Sequence, residues 1–159
     1  WAHGYSDGFY SLGITDAKSF NRMLNQNSKV WKTHSDNKQV VIVLHSCKTA
    51  DFARKLSESK LFKDVLIIAP NKNVQVRYEK NKLKRILTGV SDYEGKNVRT
   101  LKKSTGYWMG YKNGEFYNKY SGDFKTPNQN SEKPGAKGFG YDTWWQIVYK
   151  FFQQMINKK

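Results

Sequence analysis

Residues 38–70 read KQVVIVLHSCKTADFARKLSESKLFKDVLIIAP, and the order of elements in this stretch decides the fold. Lys38 to Ser46 is β-branched and apolar without alternation, the pattern of a central strand covered on both faces. From about Thr49 to Lys60, Ala50, Ala53 and Leu56 draw an apolar stripe at helical spacing, with Phe52 beside it. Asp64 to Ala69 is a second buried-type strand, and Pro70 ends it. Strand, helix and strand in that order predict a βαβ unit with a right-handed crossover and a parallel strand pair.

Upstream, residues 1–14 are rich in Gly, Ser and Tyr and read as loop. Thr15 is placed to cap a helix reaching about Val30, with Ala17, Phe20, Met23 and Leu24 on one face. Downstream, Val74 to Tyr78 alternates as a half-exposed strand does, and Leu83 to Leu87 is set to pair with it across Asn81. Tyr107 to Tyr111 and Glu115 to Tyr120 flank Lys112-Asn113-Gly114, and Asn-Gly is a strong hairpin signal. Residues 124–140 read as a Pro/Gly/Asn/Lys loop. From Asp142 the pattern is helical again, with Trp144, Ile147, Val148, Phe151 and Met155 on one side.

The expected fold is therefore a three-layer α/β domain with a small, mainly parallel sheet, an antiparallel hairpin region and a C-terminal helix. One domain of 159 residues divides into a βαβ core (1–78), a hairpin and loop region (79–141) and the terminal helix (142–159). A hydrophobic content of 38% is that of a folded chain, yet no run approaches the ~18 apolar residues of a membrane span. The chain opens Trp1-Ala2-His3-Gly4, with neither an initiator methionine nor a signal-peptide pattern, as a mature or excised fragment would.

With 28 Lys and Arg against 13 Asp and Glu, the formal net charge is +15, which favours acidic partners: nucleic acid, an anionic surface or an acidic protein. The single cysteine excludes an intrachain disulfide and a Cys-rich zinc site. No metal or cofactor is expected. A lone cysteine is either a small buried hydrophobe or a working thiol.

Cys47 stands one residue past a buried strand and about two before a helix N-terminus. The carboxyl ends of parallel strands are where ligands bind in open α/β sheets. The unpaired amides of a helix start favour a thiolate, and Lys48 adds positive charge. A thiol nucleophile needs a base, usually histidine. His45 lies two residues back on the same strand and reads as a packed histidine, and His34 lies in a polar connection. His3 is followed at once by Gly4, whose lack of a side chain lets backbone pass close to a substrate and whose amide is free to face an oxyanion.

These features resemble the caspase-like cysteine peptidases, which place a His-Gly at one strand end and the nucleophile on the next parallel strand. Here Ala2-His3-Gly4 is followed by a helix and then by Val40-Val41-Ile42-Val43-Leu44-His45-Ser46-Cys47. More narrowly, His45-Ser46-Cys47-Lys48-Thr49, then Phe52-Ala53, Leu56-Ser57 and Ile68-Ala69-Pro70, is similar to peptidase-like domains at the C-termini of bacterial polymorphic toxins. The resemblance covers roughly residues 1–78.

The resemblance implies a cysteine endopeptidase in which Cys47 attacks a peptide carbonyl, His3 manages the leaving group's proton, and the amides of Gly4 and Cys47 face the oxyanion. It implies no third catalytic residue. It also implies a toxin domain, secreted or delivered into a target cell, that acts on a protein or peptide and is held by an acidic immunity protein. Asp7 and Asp51 are candidates for holding a basic substrate side chain, and each also reads as a cap or loop residue.

Two other readings stay open. The lysines and aromatics interleaved from Lys102 to Tyr120 are the composition of a nucleic-acid-binding or nuclease toxin surface. Trp108, Tyr111 and Phe116 read equally as hairpin core. The broad apolar character of Trp144-Trp145 and Phe151-Phe152 fits core burial or a non-catalytic interaction module.

Overall fold

The computed structural model describes residues 4–33, 40–78, 85–91 and 105–122. His3, His34, the loop at 124–140 and the C-terminal helix expected from Asp142 lie outside the described residues.

The first helix, α1, spans Ala17–Asn27 and buries Phe20, Met23 and Leu24, the face the spacing predicted. Its cap is Asp16, one residue later than expected. The Asp16 carboxylate accepts from the Ser19 amide at 2.7 Å, and the Ser19 hydroxyl accepts from the Asp16 amide at 3.3 Å. That reciprocal box satisfies two orphan amides, and such a cap contributes about 1 kcal/mol. Ser28 turns the chain into extended geometry, and a short α2 follows at Lys29–Thr33.

Strand β1 (Val41–Val43) runs parallel to β2 (Leu66–Pro70), with α3 (Ala50–Glu58) between them. This is the βαβ unit. Two antiparallel partners then extend the same sheet: β5 (Tyr107–Lys112) pairs with β2, and β6 (Glu115–Ser121) pairs with β5. The order is β1-β2-β5-β6. The sheet is thus mixed, not mainly parallel, because the C-terminal hairpin joins it as a continuation of β2.

The Asn113-Gly114 turn has φ of 52° and 83°, the left-handed pair that a two-residue hairpin turn requires. Strands β3 (Asn73–Tyr78) and β4 (Arg85–Ser91) form a separate antiparallel pair.

Alternation along the strands divides the core. Ile42, Leu44, Ile67 and Ala69 face α1 and α3 and pack with Phe9, Phe20, Phe52, Leu56 and Phe62. Ile68, Trp108 and Tyr120 face the other way, where Val74 and Val90 of the β3–β4 pair meet them. Trp108 is fully buried, so it is hairpin core and not a stacking platform.

Candidate functional site

Beyond β1 the ladder continues without regular strand geometry. The Leu44 amide donates to the Ile68 carbonyl at 2.8 Å, and the Lys48 amide to the Lys72 carbonyl at 2.9 Å. Between them the chain turns sharply. Lys48 takes a left-handed φ of 55°, which few non-glycine residues adopt. The buried Thr49 hydroxyl donates to the Ser46 carbonyl at 2.8 Å and locks the turn just before α3 begins. Strained backbone of this kind concentrates at functional sites.

Cys47 sits at the apex of this turn, half-buried, as a free thiol. The Val74 amide, at the start of β3, donates to its sulfur at 3.3 Å. That contact ties the start of β3 to the Cys47 turn.

Gly4 rests directly on the turn. A Cβ at this position would stand 2.7 Å from both the Cys47 carbonyl oxygen and the Ser46 Cβ, and it would overlap the Thr49 methyl group. The sequence reading expected glycine here for approach to a substrate; the structure shows a close approach to the Ser46–Thr49 turn itself. Neither the Gly4 nor the Cys47 amide donates to an acceptor among the described residues.

The segment after Gly4 is anchored firmly. Tyr5 and Gly8 exchange backbone hydrogen bonds at 3.0 and 3.3 Å, and the Phe9 amide donates to the Ile14 carbonyl at 2.6 Å. Phe9 is wholly buried, edge-on to Phe52 of α3 with ring centroids 5.5 Å apart. The N-terminal loop is therefore pinned to the helix that follows Cys47.

The other candidates fall elsewhere. His45 is partly buried beside Trp108, with ring centroids 5.5 Å apart. Loss of hydration there pulls its pKa down to about 4, so the imidazole is neutral across the physiological range. Asp7 accepts a hydrogen bond from the Tyr10 hydroxyl, which raises the phenol's pKa. Asp51 is exposed on the first turn of α3. The Tyr111 phenol is raised first by burial and then by the charge of Asp51, with Arg54 opposing. The structure joins Gly4 and Cys47, and it gives Asp7 and Asp51 these separate surroundings.

The Val74 contact and the left-handed Lys48 had no signal in the sequence, since each depends on where β3 returns. Among the described residues no group of three or more His, Cys, Asp or Glu side chains converges as metal ligands would. No described helix is long and apolar enough to cross a membrane.

No family model matches the chain, and no curated protein or solved structure matches it.

Proposed function

We propose that this chain is a cysteine peptidase-like domain of the caspase-like, three-layer type, which cleaves a protein target through Cys47 and His3. The observation that carries the reading is the seating of Gly4 against the Ser46–Thr49 turn. His3 precedes Gly4 in the chain and is the base that this reading names. The left-handed turn, the helix start beyond it and the Val74 amide at the sulfur support a nucleophilic role for Cys47.

In this mechanism the Cys47 thiolate attacks the scissile carbonyl carbon, and the resulting oxyanion is held by the Gly4 and Cys47 amides. The His3 imidazolium gives its proton to the departing amine as the C–N bond breaks. Water then attacks the thioester, with His3 taking the proton, and the carboxylic acid product leaves with the thiol restored. By its resemblance and its charge of +15 the domain acts as a toxin delivered out of a bacterial cell and is neutralised by an acidic immunity protein.

The test uses a peptidyl acyloxymethyl ketone, which alkylates a peptidase thiol only when the catalytic pair is assembled. Wild type is expected to be labelled stoichiometrically at Cys47, with labelling abolished in Cys47→Ala and slowed at least ~100-fold in His3→Ala. Equal labelling rates in wild type and His3→Ala would remove the dyad from the mechanism.

A further inference from the structure

The end of the sheet that carries Cys47 also carries a row of groups the peptidase chemistry does not use. Lys48 follows the thiol and is exposed. Its amide reaches Lys72, just past the end of β2, at 2.9 Å. Next to that point the Asn71 amide donates to the Tyr107 carbonyl at 3.0 Å, and the Asn71 side chain accepts from the Tyr107 amide at 2.8 Å. Tyr107, at the near end of β5, is 42% exposed even though its backbone is fixed on both sides. The Lys119 ammonium of β6 stands 4.4 Å from the centre of the Tyr107 ring. The row thus crosses all four strands of the sheet, from Lys48 through Tyr107 to Lys119.

The charge along this row is mainly positive, and the nearest carboxylate along the chain from Lys48 is Asp51, exposed on the first turn of α3. The described segments 46–50, 71–73, 105–107 and 119–122 contain no carboxylate. The cation–π contact at Tyr107 holds the Lys119 charge in one place. Three strand spacings of about 4.8 Å make the row about 14 Å long, the span of four or five residues of extended chain.

We propose that the Lys48–Tyr107–Lys119 rim seats an acidic stretch of the polypeptide substrate beside Cys47, an assignment that rests on the peptidase reading. The rim gives the substrate class: a protein segment with a short run of Asp or Glu next to the cut bond. Tyr107 supplies an amphipathic platform for the peptide between the two cations. The same rim would receive an acidic inhibitor protein that mimics such a segment.

The test measures fluorescence anisotropy of a labelled twelve-residue peptide with five central Glu residues, using the full chain carrying Cys47→Ala so that no turnover occurs. The expected result is saturable, salt-sensitive binding that falls at least ~10-fold when the Glu residues become Gln. The double variant Lys48→Asn/Lys119→Gln should weaken it about 3- to 10-fold, while Lys18→Gln/Arg22→Gln, which removes the same charge from the outer face of α1, should leave it within about twofold. All these residues are exposed, so the variants keep the parent urea midpoint.

Equal losses in the two double variants would reduce the effect to net charge and overturn the rim. So would tighter binding of a single-stranded oligonucleotide of equal charge that the rim variant also loses. Wild type that binds the acidic peptide but never cleaves it keeps the rim and removes the peptidase reading. Cleavage of acidic and neutral peptides at equal rates does the reverse.

Discussion

Gly4 and Cys47 touch through their backbones although 43 residues separate them: a Cβ on Gly4 would stand 2.7 Å from the Cys47 carbonyl oxygen. Gly4→Ala therefore forces either the N-terminal segment or the Ser46–Thr49 turn to move. The expected cost is about 1–3 kcal/mol, read as a lower urea midpoint. The same variant should lose most of its labelling by the peptidyl ketone at a temperature where it remains folded. An unchanged midpoint would mean that the two backbones pass with more room than described.

Phe52 joins the N-terminal loop, α1 and α3. Its ring lies edge-on to Phe9 at 5.5 Å and to Phe20 at 6.1 Å, and it is 1% exposed. Phe52→Ala should cost about 3–5 kcal/mol, and Phe52→Leu less than half of that. Equilibrium denaturation at 25 °C separates the two, and similar losses would argue against a tightly packed aromatic cluster.

His45 sets part of the acid limit of stability. The folded protein holds its pKa near 4, while the unfolded chain has the ordinary value of 6.5. Between those values the unfolded state binds the proton and the folded state does not. Stability is therefore lost as pH falls from about 6.5 towards 4, by an amount on the order of 2–3 kcal/mol over the window. His45→Gln should flatten that part of the stability–pH curve, measured as urea midpoints at pH 7.0, 5.5 and 4.5. A parallel curve for the variant would place the acid sensitivity in other groups.

Asn113 holds two jobs at once. It adopts a φ of 52° in the β5–β6 turn, and its side-chain oxygen accepts from the Asp64 amide at 2.8 Å. Asp64 is itself left-handed, with a φ of 63°. Asn113→Ala should destabilise by about 1–2 kcal/mol, through left-handed strain and the lost acceptor. Asn113→Gly keeps the left-handed turn free of strain and loses only the side-chain hydrogen bonds with Asp64, the second being from the Asn113 side-chain amide nitrogen to the Asp64 carboxylate at 3.2 Å, and should cost less. The reverse order would show that backbone strain is not part of the loss.

The local signals in the sequence were legible because each is carried by neighbours in the chain. The Val40–Leu44 run, the Ala50–Leu56 stripe and Asn113-Gly114 each produced the element they encode. The cap moved from Thr15 to Asp16 because a carboxylate one residue later reaches the Ser19 amide. The mixed sheet was not legible. Pairing of Ile67 with Tyr111 and Pro70 with Trp108 joins residues about forty apart, and no local period encodes such a partner. At the candidate site, Cys47 was found by its place between strand and helix. Its surroundings were not, since Gly4 and Val74 arrive from opposite sides along the chain.

That dispersed origin has a consequence for synthesis. The sulfur gains its setting only when a glycine at position 4, a turn at 46–49 and an amide at position 74 have met. A ribosome must release the chain past Val74 before this can happen, and the long-range contacts close last because bringing distant segments together costs the most entropy. A half-made chain thus holds a cysteine without these neighbours, and the turn, Gly4 and the Val74 amide surround the sulfur only once the fold is complete.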